Sequence, residues 1–175
     1  MSRGEVILKE TERFDRQDLE ILELVQGDAS LTQSEIAERV GLSVGAVSER
    51  LKKLETRGVI RGYVALLDAK RLGKDICAFI QVLLEHPKYD QGFQEAMSRA
   101  PEGLECHHVL GSYSYLLKVK IEDTAALEHL LSGRIKSIGG VAQTATIVVL
   151  STSKEGTAID LPHPREAESR AAGAR

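Results

Sequence analysis

Ser43, Gly45, Ala46 and Ser48, followed by Glu49, Arg50, Lys52, Lys53 and Arg57, form a cluster whose chemistry is non-covalent. Short side chains let a backbone approach a flat polar surface closely, and the cations after them suit phosphate oxygens. No histidine or cysteine lies between residues 43 and 57 to act as a base or a metal ligand, so neither nucleophilic nor metal chemistry is indicated there. The pattern reads as contact with a double-stranded DNA groove. The candidate contact set is Ser43, Val44, Gly45, Ala46, Ser48, Glu49, Arg50, Lys52, Lys53 and Arg57, with the short residues at base edges and the cations at phosphates.

Two helices joined by a tight turn must position this set. Thr32 with Glu35 forms a capping box at a helix start, since hydroxyl and carboxylate each satisfy a free backbone N–H. Ile36, Ala37 and Val40 give that helix an inward face, and Gly41 is its expected stop because glycine takes left-handed backbone angles cheaply. Ser43 is placed to cap the next helix. There Val44, Val47, Leu51 and Leu54 fall at three-four-three spacing and line one inner stripe, while Gly45, Glu49, Lys52 and Lys53 point the other way. A preceding helix from Asp15 to Gln26, with Leu19, Ile21, Leu22 and Val25 inside, completes a three-helix bundle. After it, Val59 to Leu67 is a β-prone run broken by Gly62 and is expected to form a short wing, with Arg61 near the DNA backbone.

Charge is distributed to match. Residues 10–38 carry nine acidic and two basic side chains, whereas residues 43–61 carry five basic and two acidic ones. The net charge of −3 and pI of about 6.0 exclude a general nucleic-acid coat, so binding has to rest on local placement of charge. With Trp absent and Tyr and Phe few, a stacking platform for single strands is not indicated. No apolar run approaches the roughly 20 residues that cross a bilayer, and the N-terminus lacks the order of a signal peptide. The expected location is cytoplasmic and nucleoid-associated.

The second half alternates differently. Strand-like runs at 76–84, 104–110, 113–121 and 141–150 are separated by helical stretches at 89–100 and 124–138. This β-α-β-β-α-β order is that of a ferredoxin-like sheet with both helices on one face. The fold class is therefore α+β: a winged helix-turn-helix domain (14–67), a hinge (68–75) and a ferredoxin-like domain (76–151). A loose N-terminal arm (1–13) and an untethered tail (152–175) flank them. Ala78-Phe79-Ile80 and Ile147-Val148-Val149-Leu150 do not alternate apolar with polar residues. Both faces of those strands are expected to be covered, and the open one needs another subunit.

Glu105-Cys106-His107-His108 is the other stretch with chemical potential, and it opens the alternative of a metal- or redox-responsive regulator using Cys106 and His108. In a strand Cys106 and His108 share a face while His107 points away, so the three cannot converge on one ion within a chain. Ordinary strand packing and reduced thiols at Cys77 and Cys106 are the simpler expectation. No metal, cofactor or catalytic residue is assigned, and enzyme activity is not expected. An effector-independent DNA-organising protein is a further alternative.

The order of elements, together with Asp15-Arg16 and Ile21-Leu22, Glu35-Ile-Ala, Val40-Gly-Leu-Ser43, Arg50-Leu-Lys-Lys-Leu-Glu55, Gly58-Val-Ile-Arg-Gly-Tyr63 and Thr144-Ala-Thr146, resembles the Lrp/AsnC (leucine-responsive/asparagine-type, feast-famine) family of transcriptional regulators. The resemblance implies a DNA-reading N-terminal domain, dimerisation through the C-terminal sheet, and assembly of dimers into larger rings. It also implies a small effector, an amino acid, held between dimers near the loop Gly111, Ser112, Tyr113, Ser114. That loop departs from the family pattern Gly-Asp-Tyr-Asp: serines offer hydrogen bonds but no countercharge for an ammonium group. Gly45 stands where family members frequently carry serine or proline, which shifts weight towards readout of DNA shape.

Overall fold

Three caps fix where the helices begin. Asp15 accepts the Asp18 N–H and Asp18 reaches back to the Asp15 N–H, starting α1 (Arg16–Gly27). Thr32 and Glu35 do the same for α2 (Gln33–Val40), and Ser43 Oγ accepts the Ala46 N–H at the start of α3 (Val44–Thr56). Each such cap contributes about 1 kcal/mol by satisfying an otherwise orphaned donor. Gly41 ends α2 with φ +69°, the left-handed conformation expected from its residue type.

The computed structural model describes residues 14–161. The expected arm (1–13), and the tail from 162 onward, lie outside the described residues. Two compact units divide the described residues, one holding the three helices with residues 156–161, the other residues 66–155.

In the first unit Ile21, Leu22, Ile36, Ala37, Val47, Leu51 and Leu54 form the core, with Phe14, Val59 and Ile60 packed at its margin. The segment 156–161 belongs to this unit, and here the expectation of an untethered tail needs correction. Gln26 donates from Nε2 to the Ile159 carbonyl at 3.0 Å and accepts the Ile159 N–H at 3.2 Å, while Leu161 packs on the helical core. One amide thus satisfies both backbone groups of an extended residue, as a neighbouring strand would.

The second unit is a four-stranded antiparallel sheet in the order β2-β3-β1-β4, from β1 (Ile76–Leu84), β2 (Gly103–His108), β3 (Tyr115–Ile121) and β4 (Val141–Val148). Helix α4 (Asp90–Ser98) follows β1, and α5 (Thr124–Glu128) follows β3. Ala78, Ile80, Val82 and Leu84 of β1 meet Tyr115, Leu117, Val119 and Ile121 of β3 beneath Phe93, Met97, Leu127, Leu130 and Ile135. The expected single helix over 124–138 continues beyond α5 as a wider π turn, His129–Ile135.

One further expectation changes. Residues 59–67 form no strand, and Val64, Leu66 and Leu67 are each more than 70% exposed; a wing strand needs a neighbour for its backbone groups, and the described residues offer none. Tyr63 instead donates its hydroxyl to Glu55 at 3.0 Å, and burial with that carboxylate pushes the phenol up to about 12. On the sheet, β1 alternates in burial although its sequence does not. Phe79, Leu116 and Ile147 lie on the face that neither helix covers, since Phe79 pairs with Ile147 and Gln81 with Leu116.

Candidate nucleic-acid interface and effector loop

Along α3 burial separates the residues cleanly. Val47, Leu51 and Leu54 are buried, while Gly45, Ser48, Glu49, Lys52 and Lys53 are exposed. Ser43 is exposed and its hydroxyl is occupied by the Ala46 N–H; Ala46 is half-buried. No ion pair engages Lys52 or Lys53 within the described residues. The cationic face is thus presented outward rather than consumed locally.

Three members of the expected contact set sit differently. Val44, expected in the inner stripe, is 45% exposed, because it occupies the first position of α3 and the core begins only at Val47. Its methyl groups join the outward surface, where they suit a thymine methyl. Arg50, expected at a phosphate, is turned to α1: Nη1 donates to Asp15 Oδ2 at 2.7 Å and Asp18 Oδ1 at 2.6 Å, and Nη2 donates to Gln17 Oε1 at 2.8 Å. Partial burial raises the Asp15 carboxyl, but the Asp18 N–H and the guanidinium outweigh it and hold it below its ordinary 3.8. Arg57 caps the C-terminal end of α3 and lies over the Phe14 ring, 5.1 Å from its centroid. Asp15, Gln17 and Asp18 were invisible as partners of Arg50 from the sequence, since 32 or more positions separate them; the only local signal was the capping pattern Asp15-x-x-Asp18.

The loop between β2 and β3 holds the four effector candidates. Gly111 and Ser112 are exposed, and Tyr113 and Ser114 are half-buried. Ser114 is committed to the sheet. Its Oγ accepts the Leu84 N–H at 3.1 Å, and its own N–H donates to the Val82 carbonyl at 2.9 Å. Ser112 is left as the outward hydroxyl. Immediately after the loop, Tyr115 is buried, with its hydroxyl donating to Asp90 at 3.1 Å and accepting from Gln94 at 2.7 Å.

Among the described residues no three His, Cys, Asp or Glu side chains converge as metal ligands. His108 stacks on Tyr115 with ring centroids 4.9 Å apart, and His107 pairs with Glu105. Cys106 lies on the exposed edge strand, yet its thiol lines a groove with Leu117 and Met97, where burial raises its pKa. A raised pKa keeps it as the less nucleophilic thiol.

Residues 14–61 match a winged helix-turn-helix DNA-binding domain, and residues 77–159 match the Lrp/AsnC ligand binding domain. The chain is 36% identical over 147 residues to the proline dehydrogenase transcriptional activator of Rhizobium radiobacter, covering 83% of this chain and 94% of that protein. It is 35% identical over 144 residues to the leucine-responsive regulatory protein of Escherichia coli K12, covering 81% and 88%. The chain belongs to the Lrp/AsnC family. Among solved structures of such regulators, one from Neisseria meningitidis in complex with L-Met superposes with a TM-score of 0.81 at 32% identity, covering 85% of this chain and 97% of that one. Escherichia coli AsnC gives 0.78 at 28% identity, covering 84% and 99%. As a Lrp/AsnC member this chain is a DNA-binding transcriptional regulator, with a winged helix-turn-helix domain and an α+β ligand-binding domain. No helix among its described residues is long and apolar enough to cross a membrane.

Proposed function

We propose that the outward surface of α3 enters the major groove, with Val44, Gly45, Ala46 and Ser48 at base edges and Lys52 and Lys53 at phosphates. The observation that carries this reading is the split of one helix into a buried Val47-Leu51-Leu54 stripe and an exposed face with two cations that no local carboxylate engages. Ser43 and Glu49 flank the contact, and Arg57 borders its C-terminal end. Residues 14–67 serve as the reading head, 68–75 as the connector and 76–151 as the ligand-binding and assembly domain. The regulator acts at the nucleoid, and its chemistry is binding rather than catalysis.

Two features support oligomerisation. Phe79, Leu116 and Ile147 form an apolar face without a helical layer, and the exposed Val64, Leu66 and Leu67 stand just before it in the chain. A second copy covering that face removes this apolar area from water at about 25 cal/mol per Å². Sedimentation at micromolar concentration should give a dimer or larger; a monomer overturns this part of the reading.

The effector is a small molecule held near Gly111, Ser112 and Tyr113, and an amino acid is favoured by the L-Met bound to the Neisseria relative. Ser114 supports the loop from below rather than facing the ligand. Calorimetry with L-Met and the other common amino acids, on the wild type and Ser112→Asp, tests it. Altered binding in the variant supports the loop; identical null results for both forms remove it. Selection of duplexes from a random pool tests the reading head: Val44→Ala and Ser48→Ala should shift the recovered sequences, and unchanged pools contradict the assignment.

A further inference from the structure

The core shared by α1 and α3 is made of aliphatic contacts from Ile21 and Leu22 on one side and Val47, Leu51 and Leu54 on the other. Such contacts are non-directional, so they bury area without fixing how far one helix slides or rotates against its neighbour. Beside them lies a directional device. Arg50 on α3 spends both terminal nitrogens on three acceptors in the first turn of α1: Asp15, Asp18 and Gln17, at 2.6 to 2.8 Å. Asp18 is the charged side chain buried in the core among the described residues, and it simultaneously closes the capping box of α1. A planar fork that engages three acceptors at once holds a single geometry, which a lysine ammonium cannot reproduce.

We infer that Arg50 is a positioning residue for DNA binding: by locking α3 onto the first turn of α1 it sets the angle at which Val44, Gly45, Ser48, Lys52 and Lys53 meet the duplex. The inference rests on the DNA-binding reading above and deepens it. Arg50 sits between Glu49 and Lys52 in sequence but makes no phosphate contact. Asp18, on another helix and away from the outward face, acts with it as one unit. Removing either partner leaves the other incompletely compensated and frees the same degree of motion, so their effects on DNA affinity are not additive.

The test uses the full chain and a fluorescent duplex recovered from a random pool by the wild type. Anisotropy titrations across a salt series are run below the unfolding transition on wild type, Arg50→Met, Asp18→Asn, the double variant and Arg50→Lys. Arg50→Met and Asp18→Asn should each weaken binding about tenfold, a coupling typical of neighbouring groups in one network. The double variant should be no weaker than either single one, and all slopes against salt should match the wild type. Arg50→Lys, the variant for use if Arg50→Met does not fold, keeps the charge and should still bind several-fold more weakly at unchanged slope. Three results overturn the inference: a slope reduced by about one in Arg50→Met, the mark of a lost phosphate contact; full affinity in Arg50→Lys; or variants with lowered melting temperature but wild-type affinity. A wild type that binds no duplex would instead overturn the DNA-binding reading itself.

Discussion

Ser114 Oγ accepts the backbone N–H of Leu84 at 3.1 Å, so a residue of the proposed ligand loop is a fastener between the start of β3 and the end of β1. The two serines that replace the family's aspartates in this loop therefore have different jobs. Ser114→Ala leaves the backbone N–H of the buried Leu84 without its acceptor and should cost about 1 kcal/mol. Ser112→Ala, on the exposed side, should leave stability unchanged. Urea unfolding of the two variants checks the difference.

Gly41 and Gly45 should respond oppositely to alanine. Gly41 holds φ +69° at the corner of the helix-turn-helix, and a Cβ there costs about 1–2 kcal/mol. Gly45 lies in the first turn of α3 with open space around it, so alanine should stabilise by about 0.5–1 kcal/mol. Thermal melts of Gly41→Ala and Gly45→Ala should move in opposite directions. Gly45→Ala also places a methyl on the outward surface of α3 and should change DNA affinity if that surface meets the duplex.

Acid should loosen the helical unit. Asp15 and Glu35 are both held below their ordinary values: for Asp15 the Asp18 N–H and Arg50 overcome the effect of burial, and for Glu35 the Thr32 N–H and hydroxyl dominate. A depressed carboxylate contributes stability above its unfolded pKa and loses it as pH falls through the folded one. Melting temperature should therefore be flat near neutrality and fall once pH drops below about 4, the ordinary carboxylate range. Glu35→Gln should show a shallower fall, measured by circular dichroism across pH.

Gln26→Ala removes both hydrogen bonds that hold Ile159. Amide exchange at Ile159 should rise towards the rate of an open chain while exchange in the second unit stays unchanged. Protection at Ile159 equal to wild type would show that Leu161 alone secures the segment.

Features closed within a few residues were legible in the sequence, and those closed by distant partners were not. The helix starts were readable because each cap closes within three residues: Thr32 with Glu35, and Ser43 with Ala46. The extent of β1, Ile76–Leu84, was readable because its apolar run is bounded on both sides by polar residues. What the sequence hid depends on distant partners. Arg50 was read as a phosphate ligand because its acceptors lie 32 to 35 positions away, and residues 156–161 were read as free because Gln26 lies 133 positions from Ile159. The lack of strand pairing at 59–67 has the same origin, since an extended run becomes a strand only beside another one. Nothing local marked the π turn at 129–135, because Leu127, Leu131 and Ile135 keep ordinary i, i+4 spacing.

The central claim is that the exposed face of α3 carries the phosphate contacts, and the salt dependence of duplex binding tests it most directly. Lys52→Ala should weaken binding to specific and unrelated duplexes alike and reduce the slope of log affinity against log salt by about one. A Lys52→Ala protein with wild-type affinity and wild-type slope would contradict it.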